Sequence, residues 1–138
     1  KENITFFGTG AKYLDTLKQK NINIINNYNL ESLRTIASTG SPLIHETFKY
    51  VYQNIKEDVH LASISGGTDL VGCLVLGNLF SKVYAGEIQG ESLGIDIDIF
   101  DNRGIPTVYG RSKSRGDRSG RISVADKVPS TALLIRFR

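Results

Sequence analysis

Between residues 33 and 69 two short apolar runs bracket a strongly amphipathic stretch, and each run ends in a cluster of small turn-forming residues. In the middle, Ile44, Phe48, Val51, Tyr52 and Ile55 recur at i, i+4, i+7, i+8 and i+11, with Lys49, Gln53 and Lys56 between them. That period is helical, so one stripe must be buried against another element. Leu33 to Ser38 and Val59 to Ile64 are too short for helices and carry β-branched residues, so they are predicted strands. Thr39-Gly40-Ser41-Pro42 ends the first, with Pro42 suited to the first turn of the helix and Ser41 to its cap. Ser65-Gly66-Gly67-Thr68-Asp69 breaks the second. Strand, loop, helix, strand, loop is the order of an α/β fold with parallel strands, in which ligands gather at the strands' carboxyl ends.

The flanks extend this pattern. Asn3 to Phe7 has a strand texture, and Ala11 to Lys20 places Leu14 and Leu17 on one side, beside Ala11 and Tyr13, which predicts a short helix. After residue 75 the texture turns to β. Tyr84 to Gly90 is a predicted strand, and Ile95-Asp96-Ile97-Asp98-Ile99 alternates as a half-buried strand does, with both aspartates outward. Asp101 to Gly104 reads as a turn. Residues 112–121 are polar and glycine-punctuated without either period, which predicts loop or disorder.

Charge divides the chain at the same place. Residues 1–104 carry 9 Lys+Arg against 12 Asp+Glu, a balance of −3, and residues 105–138 carry 8 against 2, a balance of +6. The basic character of the whole, +3, therefore belongs to the tail, and nucleic acid is not an expected partner of the body. The tail has no aromatic residue between Tyr109 and Phe137 on which a base could stack. A lone cysteine, Cys73, excludes an internal disulfide, and a small core residue is expected there. No apolar run is long enough for a membrane helix, so no membrane partner is expected and the cytosol is the expected location. There is no methionine, and the chain opens inside a strand pattern; an internal piece of a longer protein is the expectation.

The two loops could carry chemistry. Small residues let backbone N–H groups approach an anion, a hydroxyl can donate to phosphate, and a carboxylate can hold Mg²⁺. The same residue types are also the commonest turn formers, and no Walker A or dinucleotide fingerprint is present. Three strings in register are more specific: Leu33 to Leu43 (LRTIASTGSPL), Ser63 to Asp69 (SISGGTD) and Val83 to Gln89 (VYAGEIQ), with Phe7 to Tyr13 (FGTGAKY) near the start. Together they resemble the acetoacetyl-CoA synthetases of the adenylate-forming superfamily, across residues 1–104.

The resemblance implies part of the large N-terminal domain of such an enzyme, with parallel β/α units followed by β-hairpin and barrel strands. It implies a two-step ligase reaction using acetoacetate, ATP, Mg²⁺ and CoA. Gly40, Ser41 and Pro42 would pack along the adenine, Gly67 and Thr68 would face the nucleotide with Thr68 bonding the α-phosphate, and Asp69 would hold Mg²⁺. Ser65 and Gly66 would line the acyl pocket, since acetate-specific relatives carry an indole where Gly66 stands; the plainer reading is that Gly66 and Gly67 permit a tight turn. The family's phosphate-gripping loop, ribose-binding aspartate and C-terminal lysine are not recognisable, so the isolated chain is expected to be silent and to fold poorly. Residues 1–104 are thus expected to be a partial AMP-binding domain. Residues 105–138 form a divergent basic tail, whose departure from the family at 111–138 fits out-of-frame or disordered sequence. A small nucleotide- or RNA-binding protein using that tail, or a decayed gene product, are the alternatives. His45 and His60, without a nucleophile or ligand pair nearby, are expected to be surface or packing residues.

Overall fold

The computed structural model describes residues 3–99, together with the strand segments Ile122–Ser123 and Leu133–Phe137. Its first unit is β1 (Phe6–Gly10), α1 (Ala11–Gln19), β2 (Thr35–Thr39), α2 (His45–Asn54) and β3 (His60–Ser63). The three strands form one parallel sheet in the order β1-β2-β3, with Phe7 opposite Ile36 and Ile36 opposite Leu61. Side chains alternate across a sheet, so Phe7, Ile36 and Leu61 share one face. Ile36 and Leu61 there join Leu14, Phe48 and Val51 in a core where each is at most 1% exposed.

Local chemistry explains both helices. α1 buries Ala11 and Leu14 and leaves Lys12 in solvent. It stops where Asn21 adopts φ +50°, with Asn21 N–H donating to Lys18 O at 3.0 Å and Ile22 N–H to Leu17 O at 3.1 Å. This left-handed cap satisfies the final carbonyls. α2 buries Thr47, Phe48, Tyr50 and Val51. It begins at His45, not in the Ser41-Pro42 turn, and no side chain caps it. The cause is Leu43, which is 2% exposed: burying it keeps the chain extended past Pro42 for one more residue pair before the helix starts. The Ser41 cap expectation is thereby corrected.

The connection from α1 to β2 is pinned along α2. Ile24 and Ile25 N–H groups donate to Asn54 O, the Tyr50 hydroxyl donates to Ile22 O at 2.5 Å, and the Lys56 ammonium donates to Leu30 O at 2.9 Å. Thr47 binds Asp15 through its hydroxyl and accepts from Lys18 at 3.0 Å, tying the helices to each other.

The second unit is antiparallel. β4 (Ser65–Gly67) pairs with β5 (Gly72–Leu76) as a hairpin, and β5 pairs with β7 (Gly90–Glu91). The segment 65–69, expected to be a loop, is therefore a short strand and a 3₁₀ turn, Thr68–Leu70. In two further two-stranded sheets, β6 (Glu87–Ile88) pairs with β9 (Ile122–Ser123), and β8 (Ile95–Ile99) pairs with β10 (Leu133–Phe137). The predicted single strand over Tyr84–Gly90 is thus two strands of two residues. Val75, Ile88 and Ile97 form a second small core. Cys73 is half-buried in β5 rather than central to either core. The turn at 101–104 and the run 112–121 lie outside the described residues, as do the side chains of Asp96 and Asp98. β9 and β10, from the 105–138 segment, pair with β6 and β8 of the preceding segment, which the sequence of 105–138 does not suggest.

Candidate functional site

Because β2 and β3 are parallel neighbours, the two loops that follow them leave the sheet side by side at its carboxyl edge. Ser38 O accepts from Ile64 N–H at 2.8 Å, the last bond joining the strands before they diverge. Beyond it, Gly40 takes φ +83°, a conformation side chains resist, and turns the chain through Ser41 and Pro42. On the other strand, Ser65, Gly66, Gly67, Thr68 and Asp69 follow Ile64 directly. All eight candidate residues are exposed.

Gly66 has a reason of its own. A bulge lies at Ser65/Gly66, and a Cβ built on Gly66 would collide with Gly72 O and Cys73 Cα across the hairpin. Backbone proximity therefore requires glycine here. Gly67 is different: a Cβ there would meet only Leu70, at 3.8 Å. Thr68 O accepts from Val71 N–H at 3.1 Å, closing the 3₁₀ turn, and Val71 completes the hairpin at φ +49° while 94% exposed. That conformation is strained for a β-branched residue.

Asp69 is the one carboxylate of the two loops, and the described residues contain no group of three His, Cys, Asp or Glu that could hold a metal. A lone exposed carboxylate suits Mg²⁺, which takes one or two carboxylates and fills its remaining positions with water and substrate phosphates. A cavity of about 430 Å³ lies elsewhere, lined among others by Phe7, Tyr13, Leu17, Ile24, Leu30 and Ile55, and by no residue of either loop. Both candidate loops are exposed at the sheet edge and lie outside that cavity.

His45 is exposed, and His60 is a packing residue whose Nε2 lies 2.7 Å from Gln89 Oε1. In the sequence Gln89 stands out only as the end of the Val83–Gln89 string. Its role depends on contacts far along the chain. No helix of the described residues is long and apolar enough to cross a membrane.

This architecture recurs in solved structures. An acetoacetyl-CoA synthetase from Streptomyces lividans matches with a TM-score of 0.68 at 30% identity, over 76% of this chain and 17% of that one. An anthranilate CoA ligase in complex with anthranoyl-AMP matches with a TM-score of 0.61 at 17% identity, over 79% of this chain and 20% of that one, a likeness of fold. No family model matches the chain. A parallel β/α unit running into an antiparallel hairpin, both of its loops on one edge, thus defines part of the large domain of an adenylate-forming enzyme. The curated acetoacetyl-CoA synthetase of Rhizobium meliloti (strain 1021) is 50% identical over 105 residues, 76% of this chain and 16% of that protein. That of Gallus gallus is 47% identical over 109 residues, 79% of this chain and 16% of that protein. The chain belongs to the acetoacetyl-CoA synthetase family, and it spans 16% of the length of these relatives.

Proposed function

We propose that the chain supplies the adenine- and phosphate-facing loops of an AMP-forming acetoacetate–CoA ligase. The observation that carries this reading is the placement of Gly40–Pro42 and Ser65–Asp69 on one edge of adjacent parallel strands, within sequence 50% identical to a synthetase. In the proposed reaction acetoacetate attacks the α-phosphorus of ATP, releasing pyrophosphate, and the CoA thiol then displaces AMP. Neither step needs a nucleophile from the protein. The work is positioning and charge stabilisation.

Gly40, Ser41 and Pro42 offer a thin backbone surface for the flat adenine. The Thr68 hydroxyl donates to the α-phosphate, with Gly67 leaving its backbone accessible, and Asp69 is the residue that would hold Mg²⁺. When bound, that ion neutralises phosphate charge. Ser65 and Gly66 lie where the acyl group would sit, and the small size of Gly66 admits acetoacetate. The 1–104 segment acts as a partial AMP-binding domain, and the divergent tail is not assigned a part in the chemistry. Positioning of this kind is worth roughly 7–11 kcal/mol of barrier.

A hybrid tests this. Residues 3–99 replace the matching segment of the Rhizobium meliloti synthetase, and AMP formation with ATP, acetoacetate and CoA is measured. Turnover that depends on acetoacetate is expected. A soluble hybrid that unfolds cooperatively yet forms no AMP would remove the proposal.

A further inference from the structure

Gln89 is 5% exposed, between β6 and β7, and every polar atom of its side chain is used. Its Oε1 accepts from Asn78 N–H at 3.0 Å, and its Nε2 donates to Asn78 O at 2.8 Å, Ser81 O at 2.9 Å and Ser81 Oγ at 3.2 Å. Backbone partners on both sides fix which end of the amide is oxygen. The His60 Nε2, 2.7 Å from that oxygen, must therefore be the donor. A neutral ring protonated at Nε2 leaves Nδ1 as a bare acceptor, in keeping with its burial without a hydrogen-bond partner.

His60 belongs to β3, whereas Asn78 lies two residues past the end of β5. A Cβ on the intervening Gly77 would strike Ala62 and His60, so the backbone at the root of the hairpin rests directly on β3. The β4–β5 hairpin is consequently held at both roots. One root is the covalent path from Ser63 through Ile64. The other is the path His60–Gln89–Asn78, reinforced where β5 pairs with β7, Val75 with Glu91 and Leu76 with Gly90.

We infer that Gln89, acting through His60, is a positioning residue that fixes the Thr68–Asp69 turn relative to the Gly40–Pro42 loop. The functional part of this inference rests on the nucleotide reading above; the mechanical part does not. Without the latch the hairpin keeps its covalent tie through Ile64 and the packing of Gly77 on β3, but loses the hydrogen bonds that fix its angle to the parallel sheet. The string Val83–Gln89 thereby acquires a structural role, because it delivers one buried amide to the junction of the two units.

The test uses the full 138-residue chain with two substitutions, Gln89→Leu and His60→Phe, the second sparing the Asn78 and Ser81 contacts. Hydrogen exchange is followed by mass spectrometry in peptides covering the hairpin, 65–76, and the sheet strands, 35–39 and 60–63. Exchange about tenfold faster or more in the hairpin, with the sheet unchanged, is the expected result for both variants. Nitrogen-15 histidine spectra of the unsubstituted chain should show one ring as the neutral Nε2–H tautomer, and Gln89→Leu should abolish that signature. Unchanged hairpin exchange, equal acceleration of hairpin and sheet, or an Nδ1–H tautomer would each overturn the latch. Failure of the hybrid enzyme to turn over bears on the nucleotide reading alone, because none of these readouts involves a nucleotide.

Discussion

Ser38 accepts a hydrogen bond from the Ile64 N–H through its carbonyl, at 2.8 Å, while its own hydroxyl is buried without any partner. The backbone of this residue holds the two candidate loops at one edge, and its side chain adds no bond to that junction. An unsatisfied buried hydroxyl costs about 1–3 kcal/mol. Ser38→Ala should therefore raise stability by about 1 kcal/mol, or roughly 3–4 °C in Tm. A loss of stability in thermal unfolding would mean that the hydroxyl is satisfied in solution.

Gly66 and Gly67 are adjacent and make a matched pair. Gly66→Ala drives a Cβ into Gly72 O and Cys73 Cα and should cost about 1–3 kcal/mol, whereas Gly67→Ala, facing only Leu70, should cost less than about 1 kcal/mol. Denaturant midpoints of the two variants decide it. Equal costs would show that the hairpin does not close as tightly as described. It follows that enlarging Gly66 perturbs the hairpin before it tests any acyl pocket.

The Tyr50 phenol is pushed above its usual value by burial and, secondarily, by Tyr13. Burial likewise raises Tyr52, partly offset by a backbone hydrogen bond with Leu61. A raised phenol means that the folded state holds its proton after the unfolded state has lost it. The associated stability is full below about pH 10 and falls as pH rises above that, through the folded values. Urea midpoints measured across this range should decline, and Tyr52→Phe should flatten the decline. An identical slope in Tyr52→Phe would contradict the assignment.

The isolated chain should associate with itself. β1 is an edge of the parallel sheet among the described residues, and its Phe6 and Phe7, with Ile4 just before it, are 58%, 40% and 57% exposed. Edges with apolar side chains recruit further strands. Sedimentation over a concentration series should show growing species, and Phe6→Lys should reduce them. A monomer at every concentration would show that the edge is protected.

Much of the first unit is legible in the sequence because its signals are local. Phe48, Val51, Tyr52 and Ile55 announce α2 by period alone, and the runs through Ile36 and Leu61 are too short to be anything but strands. The start of α2 is not legible, because a tertiary demand, the burial of Leu43, overrides the cap chemistry of Ser41 and Pro42. The 65–69 hairpin reads as a break, since two glycines mark a turn and a close strand approach equally well. β10 escapes a local reading because its partner, β8, lies more than thirty residues away, and no local period reports such a pairing. Of the site, the loops can be named from their small residues and strings, but the His60–Gln89 contact cannot. It joins residues 29 apart.

The central claim, that the Thr68–Asp69 turn serves adenylate formation, is tested most directly by acetoacetate-dependent ATP–pyrophosphate exchange in the hybrid enzyme. This reads the first half-reaction without CoA. Asp69→Ala should lower the exchange rate by at least about tenfold, corresponding to about 1.4 kcal/mol of lost transition-state stabilisation. It should leave thermal stability unchanged, since Asp69 is exposed. Exchange at the unsubstituted rate in Asp69→Ala would contradict the account.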